Sequence, residues 1–164
     1  NRDERPAGAA VELLVIHNIS LPPGVFGGDA VIDLFLNRLD PRAHPYYETI
    51  ATLRVSAHFF IRRDGALLQF VPCGMRAWHA GQSSWRGRER CNDFSVGIEL
   101  EGTDDVAYSD AQYHRLAVLV RALHARYPIA ASAGHCDIAP GRKTDPGPVF
   151  DWRRYFRETA KNII

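Results

Sequence analysis

The sequence has no long apolar run. Its longest unbroken stretch, Leu116 to Val120, is five residues, against about 20 for a membrane-spanning helix. Charge of one sign is missing too: 20 Lys and Arg against 19 Asp and Glu give a net charge of +1. A dedicated nucleic-acid or membrane-surface binder carries a strong basic excess, so neither nucleic acid nor membrane is expected as a partner. Cysteine is sparse. Cys73, Cys91 and Cys136 make an odd count with no CxxC spacing. A secreted disulfide scaffold has an even and denser set, so three reduced thiols in a reducing compartment are expected. Internal repeats, low-complexity tracts and long linkers are absent. The chain begins at Asn1 rather than Met, as a processed, trimmed or partial chain would, which leaves an upstream signal open.

What is there is ordinary globular material. Over 164 residues, 46% are hydrophobic and 24% charged, which is average composition. The length fits one domain able to bury about 70% of its unfolded surface.

Val11 to His17 is a short apolar run rich in β-branched residues, stopped by Leu21-Pro22-Pro23-Gly24. It predicts a buried strand. Asp29 is placed to cap a helix over 30–37, and 40–47, with two prolines, reads as loop. Two strands, 55–62 and 67–71, flank Asp64-Gly65, the strongest hairpin signal in the chain. Residues 72–92 read as one long surface excursion, and such a loop is usually functional. A strand follows over 94–101, then a long helix from about Tyr108 to Arg126, a short strand over 129–131, a loop over 134–148 and a terminal helix over 150–156. Helices alternate with strands, but the hairpin excludes a purely parallel sheet.

His17 closes the first strand, and strand ends are where α/β sheets present ligands. Alone, it reads more readily as a core histidine bonded to a loop carbonyl. His135 and Asp145 flank a loop stiffened by Pro140, Pro146 and Pro148. Two histidines and a carboxylate are an open, catalytic zinc set, although this spacing also occurs in ordinary loops. Lys143 and Asp145 point the same way in an extended segment, so a cation there could reach a developing oxyanion. In Phe94 to Glu101, Val96, Ile98 and Leu100 make one face and Gly97, Glu99 and Glu101 the other. Two carboxylates on one strand face imply water, a cation or a metal site, or simply an exposed edge. Gly97 weighs slightly against the exposed edge, since Gly in a strand often marks close approach of another group. Arg54, Arg62, Arg63, Arg76, Arg86, Arg88 and Arg90, with Trp78 and Trp85, suggest a groove for an anionic ligand, or a solvated basic surface. Cys136 adjoins His135, so both cannot easily aim at one ion, and the cysteines read as structural.

Five blocks together carry more than any of these alone: Leu14 to Gly24, Arg54 to Phe59, Arg76 to Gly81, Cys91 to Asp104, and Gly134 to Pro140 continuing through Lys143 to Pro148. In this order they resemble the bacterial cytoplasmic anhydro-muramyl-L-alanine amidases. These are a branch of the zinc amidases that share a fold with phage amidases and peptidoglycan recognition proteins. The resemblance runs from about Leu13 to Trp152; Asn1 to Ala10 matches poorly. It implies a single α/β domain over 1–164, with its core over about 11–156, a mixed central β-sheet packed by helices, and a zinc groove at the strand ends. It implies Zn²⁺ held by His17, His135 and Asp145, with Glu99 as general base and Lys143 as transition-state stabiliser. Asn18, Tyr46, Arg54, Trp78 and Arg90 are implied to contact a muropeptide. The implied activity is hydrolysis of the amide between (anhydro-)N-acetylmuramic acid and L-Ala in cell-wall recycling, by a cytoplasmic monomer. A non-catalytic peptidoglycan-binding module and a secreted cell-wall amidase are the alternatives; the first would lack the metal set or the Glu/Lys pair.

Overall fold

In the computed structural model, residues 1–160 are described; the last four residues of the expected domain, 161–164, lie outside them. In chain order the strands are β1 (Arg2–Glu4), β2 (Leu13–Ile19), β3 (Phe59–Ile61), β4 (Leu67–Gln69), β5 (Met75–Ala77), β6 (Ser84–Trp85), β7 (Arg88–Glu89), β8 (Ser95–Glu101) and β9 (Ala131–Gly134). The α-helices are α1 (Ala30–Phe35), α2 (Pro45–Ile50), α3 (Asp110–Arg126), α4 (His135–Ile138) and α5 (Trp152–Thr159).

The central sheet has the order β4-β3-β8-β2-β9. β2 runs parallel to both β8 and β9, β3 runs parallel to β8, and β4 closes it antiparallel. The sheet is therefore mixed, as expected. β8 lies at its centre and all seven of its residues are buried, so the carboxylates of that strand do not sit on an exposed edge.

Strand alternation sorts the core onto two faces. Leu14 and Ile16 join Val96, Ile98 and Leu100 against α3 and α5, through Leu116, Val120, Leu123 and Tyr155. The 17 residues of α3 start at a capping box: Ser109 Oγ accepts from the Gln112 amide, and Gln112 Oε1 accepts from the Ser109 amide. Gln112 is fully buried, and its Nε2 donates to the carbonyls of Ile61 and Glu101, which ties the helix start to two strand ends. On the opposite face Leu13 and Val15 pack with Ala80, Phe94 and Ile138. Nearby, α1 and α2 cover Phe60 through Leu34, Phe35 and Tyr47. This second face, with short helices and loops rather than a long helix, holds the cavity described below.

Several local expectations change. The stretch 40–47 is not loop: Pro41 and Pro45 each stand in the first turn of a helix, where a missing N–H costs nothing, and His44 Nδ1 caps α2 by accepting from the Tyr46 amide. Asp29 makes no side-chain cap to α1 and pairs with Arg62 at 2.8 Å instead. The excursion over 72–92 contains β5, β6 and β7, and Ala77, His79, Ala80 and Cys91 within it are buried. The N-terminal residues are also built in. β1 pairs antiparallel with β5, and the Arg5 guanidinium donates to the carbonyls of Cys73, Asn92, Asp93 and Ser95. β2 runs two residues beyond His17, and the last strand is 131–134 rather than 129–131.

Candidate active site

β2, β8 and β9 run parallel, so their C-terminal ends open on one side of the sheet. His17 lies on β2 in register with Glu99 on β8. Ile16 is in register with Gly134, the last residue of β9, and His135 follows as the first residue of α4. Asp145 comes back on the proline-rich loop, whose path is held by a hydrogen bond from the Cys136 amide to the Asp145 carbonyl and one from Tyr108 Oη to the Pro146 carbonyl.

Three atoms meet there. His17 Nδ1 is 3.0 Å from His135 Nδ1 and 3.2 Å from Asp145 Oδ2, and His135 Nδ1 is 3.1 Å from the same oxygen. Three ligands of a tetrahedral zinc with bonds of about 2.0–2.1 Å stand about 3.3–3.4 Å apart, so this triangle fits such an ion with slight opening. Among the described residues it is the one group of three or more metal-ligating side chains that converge. Each histidine occupies its other nitrogen inside the protein. His135 Nε2 lies 3.2 Å from the Ala80 carbonyl, and His17 Nε2 lies 2.9 Å from His79 Nδ1. A carbonyl only accepts, so His135 carries its proton on Nε2 and turns a bare lone pair toward the triangle. Burial holds His17 neutral and takes its pKa down to about 4 despite the Asp145 carboxylate beside it. Burial would raise the Asp145 pKa, but the two imidazoles set against its Oδ2 outweigh it and hold the group well below the usual carboxylate range. A divalent ion binds imidazole through a bare nitrogen and a carboxylate as the anion, and the triangle offers those group types.

Glu99 and Glu101 share a strand face yet differ in kind. Glu101 is satisfied by the backbone amides of Gly27 and Arg63. Glu99 is buried, and its Oε2 has no hydrogen-bond partner. Burial, reinforced by Asp145 and opposed by Lys143, pushes the Glu99 pKa well above the ordinary carboxylate range. A buried carboxylate with an unspent lone pair is poised to take a proton.

These groups border one cavity of about 600 Å³, lined by His17, Glu99, His135, Lys143 and Asp145, and also by Asn18 and Tyr46. Asn18 Nδ2 donates to Asp104 Oδ1 at 2.8 Å, which fixes its carbonyl end. The seven arginines do not form one basic groove. Arg62 pairs with Asp29, Arg76 with Asp3 and Asp93, and Arg88 with Glu12. Three residues expected at the substrate do not line this cavity. Trp78 Nε1 donates to Asp3, Arg54 donates to the carbonyls of Ala51 and Leu53, and Arg90 lines a neighbouring cavity of about 410 Å³. Arg142 lines both cavities. Cys136 stays out of the triangle, and all three cysteines are free.

No sequence pattern gives His79 a role. Its ring packs on Gly97, where an added Cβ would stand 2.4 Å from His79 Cγ. The glycine had signalled close approach; which group approached was not legible.

The sequence model of the N-acetylmuramoyl-L-alanine amidase family matches residues 7–148. The chain belongs to that family. Among its relatives, the 1,6-anhydro-N-acetylmuramyl-L-alanine amidase AmpD of Citrobacter freundii is 63% identical over 155 residues, covering 93% of this chain and 83% of that protein. The crystal structure of a selenomethionine AmpD derivative superposes with a TM-score of 0.94 at 62% identity, over 96% of this chain and 89% of that one. The N-acetylmuramyl-L-alanine amidase AmiD from E. coli was solved in complex with the substrate anhydro-N-acetylmuramic acid-L-Ala-D-gamma-Glu-L-Lys. It superposes with a TM-score of 0.65 at 30% identity, over 94% of this chain and 60% of that one. The expected α/β architecture is thus the amidase fold. The five positions that a binding-only module was expected to lack in part, His17, Glu99, His135, Lys143 and Asp145, are all present at this cavity. Among its described residues no helix is long and apolar enough to cross a membrane.

Proposed function

We propose that this amidase hydrolyses the bond between 1,6-anhydro-N-acetylmuramic acid and the L-Ala of a peptidoglycan stem peptide, in cell-wall recycling. Identity to AmpD over most of both chains supports the substrate. The observation that carries the chemistry is the orphaned Glu99 Oε2, buried beside His17 with nothing to accept from.

His17 Nδ1, His135 Nδ1 and Asp145 Oδ2 would hold zinc. Zinc in such a site supplies Lewis acidity, making a water more acidic and a carbonyl more electrophilic. Glu99 takes the proton of the attacking water as the C–O bond forms and the carbonyl π pair moves onto oxygen, then returns that proton to the amine nitrogen of L-Ala as the pair comes back and the C–N bond breaks. Lys143 places its ammonium where negative charge develops on the former carbonyl oxygen. Asn18, held by Asp104, and Tyr46 orient the muropeptide in the cavity. Arg54, Trp78 and Arg90 meet its more distant parts. We assign the protein to the cytoplasm on its three free thiols. We take it as a one-domain monomer, its length fitting one domain.

The test is to load the protein with zinc and incubate it with anhydromuramyl-tripeptide and with the matching non-anhydro muramyl-tripeptide. Mass spectrometry should show free tripeptide with an N-terminal L-Ala. Faster release from the anhydro sugar is expected. No release from either would overturn the reading, and preference for the ordinary sugar would move the protein to intact cell wall.

A further inference from the structure

We infer that His79 is a positioning residue that sets the zinc affinity of the amidase by fixing the tautomer and ring angle of His17. This rests on the zinc site proposed above.

The proton positions follow from one fixed point. The Cys91 carbonyl can only accept, so Ser95 Oγ, 2.6 Å away, donates to it. Ser95 has then spent its proton. It accepts from His79 Nε2 at 3.1 Å, which puts the His79 proton on Nε2. His79 Nδ1 is left as a lone pair, 2.9 Å from His17 Nε2. His17 therefore carries its proton on Nε2 and presents a bare Nδ1 to the triangle. Four groups in series, from a backbone carbonyl to a ligand atom, have a single consistent arrangement.

The same short segment serves the second histidine. Ala80, next in the chain, offers its carbonyl to His135 Nε2. Both backbone amides, of His79 and Ala80, donate to Oδ1 of buried Asn92, at 3.2 and 2.8 Å. One dipeptide, pinned by one side chain, thus orients both imidazole ligands. His79 touches the His17 ring edge-on, with the planes at 86°, so its Nδ1 lone pair meets the His17 N–H rather than its ring face. Partners of this kind typically change metal affinity by about 10–100-fold.

The chemistry separates this role from mere packing. In Asn the side-chain oxygen occupies the place of His Nδ1, so His79→Asn keeps the acceptor for His17 and loses the donor to Ser95. His79→Gln fills more of the volume and reaches toward Ser95, but vacates the Nδ1 position. The measurement is the zinc dissociation constant by chelator competition for wild type, His79→Asn, His79→Gln and His79→Ala, with urea unfolding of each metal-free protein. The expected result is about 10–100-fold weaker zinc binding for Gln and Ala, with Asn within a few-fold of wild type. Equal losses in all three variants, affinity that follows metal-free stability, or no loss in any would overturn the positioning role. Wild-type protein that binds no zinc would overturn the zinc reading and this inference with it.

Discussion

His17 and Glu99 stand at the same register on adjacent parallel strands, one as a corner of the triangle with His135 and Asp145 and the other as a buried carboxylate with a free oxygen. Neighbouring strands run about 4.8 Å apart. The spacing of the proposed ligand and the proposed base is therefore set by the ladder hydrogen bonds of the sheet centre rather than by a loop. Pre-organisation of this kind means that base and ligand do not need to be brought together when substrate arrives.

Replacing Glu99 with Gln separates its chemical role from its structural one. The amide matches the carboxylate in shape but takes no proton, so turnover should fall by about 10²–10⁴-fold while zinc content stays stoichiometric. The raised Glu99 pKa means that the folded chain disfavours the ionised form, so ionisation at neutral pH costs stability and the neutral amide relieves that cost. The metal-free variant should melt above the metal-free wild type. Near-normal turnover would remove Glu99 from the proton-transfer role.

Three lone-pair atoms at 3.0–3.2 Å repel one another unless a cation lies among them. Zinc should therefore stabilise the fold as well as activate it. Ligand at 100–1,000 times its dissociation constant adds about 2.7–4.1 kcal/mol, or about 5–15 °C in melting temperature for a chain of this size. Chelation should remove that increment in scanning calorimetry, and His135→Ala should show no response to zinc. A His135→Ala protein that still bound one zinc here would show the ligand assignment to be wrong.

Much of this site was legible because it rests on periodicity. The apolar run before His17 and the alternation in Ser95 to Glu101 placed two site residues on strands, and the prolines around His135 and Asp145 signalled a stiff loop. Contacts across long sequence separations were not legible. His79 lies 62 residues from His17, and nothing near Trp78 or Ala80 tells which ring it will meet. The arginines misled for the same reason. Neighbours in sequence, they face different ways and pair with Asp3, Glu12, Asp29 and Asp93. Glu99 and Glu101 looked equivalent, and only the amides of Gly27 and Arg63 distinguish them.

His58 should make the fold acid-sensitive. It has no exposed surface; Nδ1 accepts from the Gly97 amide and Nε2 donates to the Met75 carbonyl. Burial, aided by the nearby Arg5, lowers its pKa from 6.5 to about 3. A histidine depressed in the folded state favours folding above its unfolded pKa, and that contribution is lost as pH falls from 6.5 toward 3. Within that window one extra proton taken up on unfolding gives a slope of about 1.4 kcal/mol per pH unit. Urea unfolding of zinc-saturated wild type and His58→Asn, from pH 7 to 4.5, should differ in slope by about that amount, with wild type the steeper. Parallel slopes would mean that His58 titrates normally in the folded chain.

Arg90 offers a weaker hold on substrate than its chemistry alone implies. A guanidinium on a stem-peptide carboxylate can contribute about 1.5–3 kcal/mol when desolvated. Here the Arg90 side chain is 69% exposed and already lies 3.3 Å from Asp93 Oδ2. An exposed pair contributes about 0.2–1 kcal/mol, equivalent to about 1.4- to 5-fold in affinity. Arg90 lines the neighbouring cavity that shares Arg142 with the one at the His17 triangle, so under the proposed function it would meet the distal end of a peptide rather than the scissile amide. Arg90→Ala should therefore raise KM by that factor and leave kcat unchanged, because a contact made equally in ground and transition states is absent from kcat. The penalty should vanish on a substrate that lacks the distal carboxylate. An equal penalty on both substrates would instead make Arg90 a support for its own loop through Asp93.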